Sequence, residues 1–192
     1  RLSAARREAA VKLASEIEAH LRDLNMERTR FEVEFAASEQ PSYTKEGADR
    51  VEFLISANPG EPPRSMSKIA SGGELSRIML ALKSIFAAID RIPVLVFDEV
   101  DTGVSGKAAQ AIARKLAALS RDCQVFAVTH LPQVASMADQ HYLIYKEIEG
   151  DRTYTLVEPL FGERRVEELA RMLGGAEITE TTLSHAREMI AL

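Results

Sequence analysis

Ser71-Gly72-Gly73-Glu74 stands about twenty residues ahead of two adjacent acids, Asp98 and Glu99. The first element suits an anion. Gly72 and Gly73 carry no side chain, Ser71 carries a hydroxyl, and an amphipathic pattern begins at once after them. Amides left unpaired at a helix N-terminus could therefore meet a phosphate there. The second element suits a metal ion and a water. Two carboxylates after the apolar run Val94-Leu95-Val96-Phe97 should emerge at the carboxyl edge of a sheet, where Asp98 could support Mg²⁺ through water and Glu99 could polarise an attacking water. Asp101 follows two residues on. His130 ends a second apolar run, Val125-Phe126-Ala127-Val128-Thr129, and would reach the same chemistry if the two strands are neighbours.

Each feature also has a plain structural reading: an N-capped helix, a strand ending in solvated acids, a histidine before a Leu-Pro turn. Their order along one chain favours the chemical reading. No Gly-x-x-x-x-Gly-Lys-Ser/Thr loop accompanies them. Gly103-Val104-Ser105-Gly106-Lys107-Ala108 fails as one, because Asp101 replaces the first glycine and Ala108 lacks the hydroxyl that would hold Mg²⁺. Gly103 and Gly106 read as turn residues before a helix, and if the chain handles ATP the phosphate-cradling loop must come from another polypeptide segment. His20, His141 and His185 have no comparable setting, and four scattered histidines with one cysteine make no metal site. Cys123, at the head of an apolar run, reads as a buried structural thiol.

The elements that would position these groups follow from periodicity. Leu75, Ile78, Met79, Leu82, Ile85, Phe86 and Ile89 form one helical face to about Asp90. The run from Val94 to Phe97 predicts a strand covered on both faces. Helix is expected over 108–119, strand over 124–128, a short helix after Pro132, a hairpin around Gly150-Asp151, a helix over 166–173 ending at Gly174-Gly175, and another from near Thr179. Upstream, Phe31-Glu32-Val33-Glu34-Phe35 and Arg50-Val51-Glu52-Phe53-Leu54-Ile55 alternate as a strand pair. Pro41, Ser42, Lys45, Glu46 and Gly47 connect them, and Asn58-Pro59-Gly60-Glu61-Pro62-Pro63 follows. Leu2, Ala5, Ala9, Leu13, Ile17, His20, Leu21 and Leu24 trace a narrow seam that reads as the end of a coiled-coil arm or as an ordinary surface helix. The organisation expected is an arm over 1–29 and one α/β lobe over 30–192.

Composition sets limits only. The 192 residues are 46% hydrophobic and 28% charged, ordinary for a globular domain, and the net charge of −5 argues against a generally basic, polyanion-gripping surface. Local basic pairs remain at Arg64 and Lys68 and at Arg164 and Arg165. No apolar stretch approaches the ~20 residues of a membrane span, so no membrane partner and a cytoplasmic location are expected.

The strings Ser71-Gly72-Gly73-Glu74-Leu75-Ser76-Arg77, Phe97-Asp98-Glu99-Val100-Asp101-Thr102-Gly103 and Thr129-His130-Leu131-Pro132-Gln133 together resemble the C-terminal half of an ATP-binding cassette head of the SMC type. More narrowly they are similar to the SMC-like heads of bacterial DNA repair proteins, a similarity that runs on through Glu167-Glu168-Leu169-Ala170-Arg171-Met172-Leu173. The resemblance implies an α/β fold with a mixed sheet flanked by helices, joined at its N-terminus to a coiled-coil arm. It implies ATP and Mg²⁺ as cofactors. Ser71, Gly72, Gly73 and Glu74 match the signature motif that engages ATP held by the opposite head, and Asp98 the Mg²⁺-linked acid. Glu99 matches the catalytic base, Asp101 the loop crossing the dimer interface, and His130 the switch histidine. The implied partners are the N-terminal half of the same head, which carries the phosphate loop, a second head joined through ATP, and DNA, double-stranded or as broken ends. The implied setting is recombination and double-strand break repair at the nucleoid, and the chain by itself is expected to be inactive. Two alternatives stand beside this: a transporter's ATP-binding subunit, against which Glu74 and Val100-Asp101 speak, and a non-catalytic dimerisation module.

Overall fold

Alternation between helical and extended periodicity builds two compact units, residues 1–128 and 129–192, in the computed structural model. The described residues are 1–36, 43–45, 47–57, 60–69, 71–175 and 177–191, with Ala88 in backbone only. Pro41, Ser42 and Glu46 of the expected connection, Asn58 and Pro59 after the second strand, and Ala70 lie outside them.

In the first unit, helix α1 (Leu2–Asp23) leads into an antiparallel pair, β1 (Arg30–Ala36) and β2 (Arg50–Ser56), with a short β3 (Arg64–Ser65) beside β2. The register Phe31↔Ile55 and Val33↔Phe53 follows the alternation of the two strands, and Phe31 and Ile55 are both buried. The C-terminal half of α1 buries Ile17 and Leu21, and Leu24 is buried just beyond its end. The helix is fastened along its length: the Glu18 carboxylate accepts from the Phe31 amide at 3.2 Å, Arg6 pairs with Asp49 at 2.9 Å, and the Arg7 guanidinium lies 4.4 Å over the Phe35 ring. β3 and the 3₁₀ turn Met66–Lys68 were not expected, being too short to carry a period.

Helix α2 (Gly72–Asp90), strand β4 (Val94–Phe97), helix α3 (Gly106–Leu119) and strand β5 (Gln124–Ala127) complete this unit, with β4 and β5 parallel in the register Phe97↔Ala127. Gly103 and Gly106 adopt φ of +72° and +54°, the turn role their spacing suggested. One expectation fails. β4 is covered on one face, where Phe97 is buried, while Val94 and Val96 on the other are 43% and 68% exposed beside an exposed Phe126. An all-apolar strand signals two covers, but among the described residues of this unit only one is supplied.

The second unit holds helix α4 (Pro132–Ser136), the hairpin β6 (His141–Glu149) and β7 (Arg152–Leu160), and helices α5 (Gly162–Gly174) and α6 (Glu180–Ala191). Its core joins Ala135, Val166, Leu169, Ala170 and Ala186. Helix α5 begins before Val166 and ends as expected, the Gly175 amide donating to the Arg171 carbonyl at 2.8 Å. Arg164 and Arg165 do not form an open basic patch. Arg164 pairs with Glu158, and Arg165 Nη2 donates to the carbonyls of Ser136 and Ala138 at 2.9 and 2.6 Å. The α/β character is thus distributed over three small sheets, and among the described residues no helix is long and apolar enough to cross a membrane.

Candidate functional site

Ser71 is extended and caps α2, its Oγ accepting from the Glu74 amide at 3.4 Å and its carbonyl from the Leu75 amide at 3.0 Å. Helix geometry leaves the first amides of α2, at Gly72 and Gly73, without intrahelical acceptors, so the positive end of the helix opens at an exposed Ser71 and Gly72. Glu74 adds an acid in the first turn. The N-terminus of α2 lies at the carboxyl end of β4 because helix and strand run antiparallel in an αβ unit. Ser76 Oγ fastens the two, donating to the Asp98 carbonyl at 2.6 Å.

Asp98 and Glu99 are both exposed just beyond β4. Glu99 has φ of +56°, the left-handed region that a non-glycine residue enters only when its surroundings impose it. Its carboxylate lies against Gly72, where a Cβ would overlap Oε2. Gly73 is buried, and a Cβ there would stand 3.1 Å from both the Glu99 carbonyl oxygen and Thr102 Cβ, and 3.3 Å from Arg77 Nη1. The glycine pair therefore does more than open the helix end to a ligand: it lets the chain after β4 fold tightly over the first turn of α2. That chain is a series of turns, the Thr102 amide donating to the Glu99 carbonyl at 3.1 Å and the Val104 amide to that of Asp101 at 3.3 Å. The Asp101 side chain is 1% exposed within it.

Ser71, Gly72, Gly73, Glu74, Asp98, Glu99 and Asp101 are thus gathered at one end of the first unit. His130 belongs to the second, exposed two residues before α4, where the Leu131 amide donates to Thr129 Oγ1 at 3.0 Å. Among the described residues no cluster of three or more His, Cys, Asp or Glu side chains could cage a metal ion. Asp98 alone would suit an ion that keeps its waters and takes its other ligands from a phosphate. Sequence reasoning placed Ser76 and Arg77 in the motif string but gave neither a role in holding the loop. Each follows one of the glycines by four, the spacing at which a helical side chain lies back over the preceding turn.

No family model matches the chain. It is 49% identical over 194 residues to the DNA repair protein RecN of Bacillus subtilis, covering 94% of this chain and 34% of that protein. It is 50% identical to RecN of Halalkalibacterium halodurans, covering 97% and 34% of the two, and 42% identical to RecN of Haemophilus influenzae, covering 100% and 34%. The chain therefore spans about a third of the length of the relatives it matches. Among solved structures it resembles the Smc head domain with a coiled coil and joint from Pyrococcus yayanosii, with TM-score 0.57 and 18% identity over 85% of this chain and 29% of that one. It also resembles a chain from work on ATP-driven dimerization and DNA stimulated activation of SMC ATPases, with TM-score 0.50 and 16% identity over 90% and 96% of the two. Likeness at such identities is one of fold, and the fold is that of an SMC head.

Proposed function

We infer the function of this chain from its membership of the RecN family of DNA repair proteins, of whose length it spans about a third. It is the lobe of an SMC-type ATPase head that carries the signature helix and the catalytic acids, and the rest of the protein supplies the phosphate loop. The observation that carries this reading is the closure of the α2 N-terminus and Glu99 onto one another at the end of β4, held by Ser76 and Asp98. It brings an anion-seeking helix end and a carboxylate base within one small surface.

In this reading two heads close around ATP. Ser71, Gly72 and Gly73 of one head bind the γ-phosphate of ATP held by the other, through backbone amides and the Ser71 hydroxyl. Glu99 takes a proton from the attacking water, and His130 has the role of the switch histidine. Asp98 would hold Mg²⁺ through water, and the ion would offset charge developing on the phosphate oxygens. The loop around Asp101 crosses between heads. Turnover releases them, and the partner acted on is DNA, double-stranded or at broken ends, during recombination and break repair at the nucleoid in the cytoplasm.

The test is Glu99→Gln in the complete protein. ATP binding and head closure should persist while turnover falls by ~10² or more, the range for losing a general base. Unchanged turnover removes Glu99 from this role. The chain by itself should not hydrolyse ATP, and should do so only when mixed with the segment bearing the phosphate loop.

A further inference from the structure

We propose that Arg77 is a positioning residue that locks the 99–103 loop, and with it Glu99, to the first turn of α2. The proposal rests on the reading of Glu99 as the base and extends it to a residue that acts through the loop. Arg77 lies on α2 one turn after Gly73, and its side chain runs back along the helix toward that glycine. Only 9% of it is exposed. Nη1 donates to the Thr102 carbonyl at 2.8 Å and stands beside Gly73, where a Cβ would crowd it at 3.3 Å.

A guanidinium has five N–H donors, and removing its charge from water is costly unless those donors are used. Among the described residues Thr102 supplies its one hydrogen-bond acceptor, and Nε is buried without a partner. Burial lowers its pKa, and the Glu74 carboxylate acts in the opposite sense. Packing alone is a poor account of a cation so placed, since an apolar side chain of the same length would fill the space without the desolvation cost. What Arg77 does that an apolar residue could not is grip a backbone carbonyl of the loop from the helix.

Three consecutive connections then tie the loop to the helix end: Ser76 to the Asp98 carbonyl, Gly73 against the Glu99 carbonyl, and Arg77 to the Thr102 carbonyl. The first turn of α2 and the loop move as one piece. A phosphate that engages Ser71 to Gly73 thereby fixes where Glu99 stands, and displacement of the loop by about 1 Å would suffice to lower the rate by ~10².

The experiment measures kcat and KM of the complete protein carrying Arg77→Gln or Arg77→Lys, with kcat expressed per bound nucleotide. Arg77→Gln should lower kcat by about 10- to 100-fold with KM within about threefold. Arg77→Lys, whose ammonium can still reach the Thr102 carbonyl, should recover most of that loss. A merely structural role would reduce the number of nucleotide-binding sites and the melting temperature while leaving kcat per site unchanged, and that result overturns the proposal. Should Arg77→Gln fail to fold, hydrogen exchange on the wild-type protein decides. A non-hydrolysable ATP analogue should protect amides of 72–76 and of 99–104 together, and protection of the first without the second overturns it. Glu99→Gln is assayed alongside: if it retains turnover, the reading of the whole site fails, whereas its loss beside an unaffected Arg77→Gln refutes only the role of Arg77.

Discussion

Gly72 and Gly73 are adjacent and chemically identical, yet they answer to different neighbours. A methyl group at Gly72 would meet the end of a flexible carboxylate that can swing aside; one at Gly73 would meet the Glu99 backbone and Thr102, which cannot. Gly73→Ala should therefore destabilise the fold by about 1–3 kcal/mol, the usual cost of overpacking. Gly72→Ala should stay within about 1 kcal/mol of wild type, because the gain in helix propensity opposes the local shift. Urea unfolding of the two variants measures the difference, and equal losses would mean that the loop is not seated on Gly73. Sequence alone marked both glycines, and for one shared reason, room for a phosphate. The crowding at Gly73 was not legible, because Glu99 and Thr102 lie more than twenty residues away along the chain.

Between elements, the link from α1 to α3 responds to pH. Lys115 of α3 reaches His20 Nδ1 at 2.9 Å and Asp23 Oδ2 at 3.0 Å, both on or beside the last turns of α1. Burial, and then the Lys115 ammonium, lower the His20 pKa, while Asp23 and Glu16 pull it upward. In the second unit burial, and then Arg165, lower that of His141 against Glu168. Folding disfavours the charged form of both imidazoles, so the unfolded chain takes up their protons first as pH falls. Stability is present in full above the ordinary histidine value of 6.5 and is lost as pH drops below it toward the folded values. Melting temperature should fall between about pH 7.5 and 5.5, and His20→Gln should flatten part of that slope. A slope unchanged by His20→Gln would remove this link as its source. Helix α4 depends on α5 in a comparable way. Arg165→Met removes the donor to three carbonyls at and just beyond its end and should cost about 1.5–3 kcal/mol, read from the denaturation midpoint.

At the scale of the whole molecule, the open face of the β4–β5 pair is the feature a single lobe leaves unexplained. Val94, Val96, Phe126 and Val128 are all exposed, and a groove of about 260 Å³ lined by Leu75, Met79, Leu95 and Val96 borders the same strand. Contiguous apolar surface of this kind marks an interface, and in the proposed head the remaining two thirds of the protein covers it. Val96→Ser should reduce self-association of the 192-residue chain taken alone, measured by sedimentation. In the complete protein it should destabilise by about 1–3 kcal/mol, since a hydroxyl would then replace buried apolar surface. A complete protein indifferent to Val96→Ser would mean that this face stays open, and the composite head would lose one of its supports.

The amino-acid sequence by itself determined the period and hence the kind of each longer element. The face of α2, the limits of β4, the hairpin around Gly150-Asp151 and the helix stop at Gly174-Gly175 are all local patterns of side-chain size and polarity. It also determined the order of chemical groups from Ser71 to Glu99 and the lack of a phosphate loop among them. Only the tertiary structure decided which of these groups touch. The grip of Arg77 on Thr102, of Ser76 on Asp98 and of Arg165 on the end of α4 joins side chains to backbone carbonyls of distant residues, and every residue offers such a carbonyl, so no residue type announces it. The bare face of β4 was hidden for a related reason: an apolar run states that a strand is to be covered, but not which chain segment covers it.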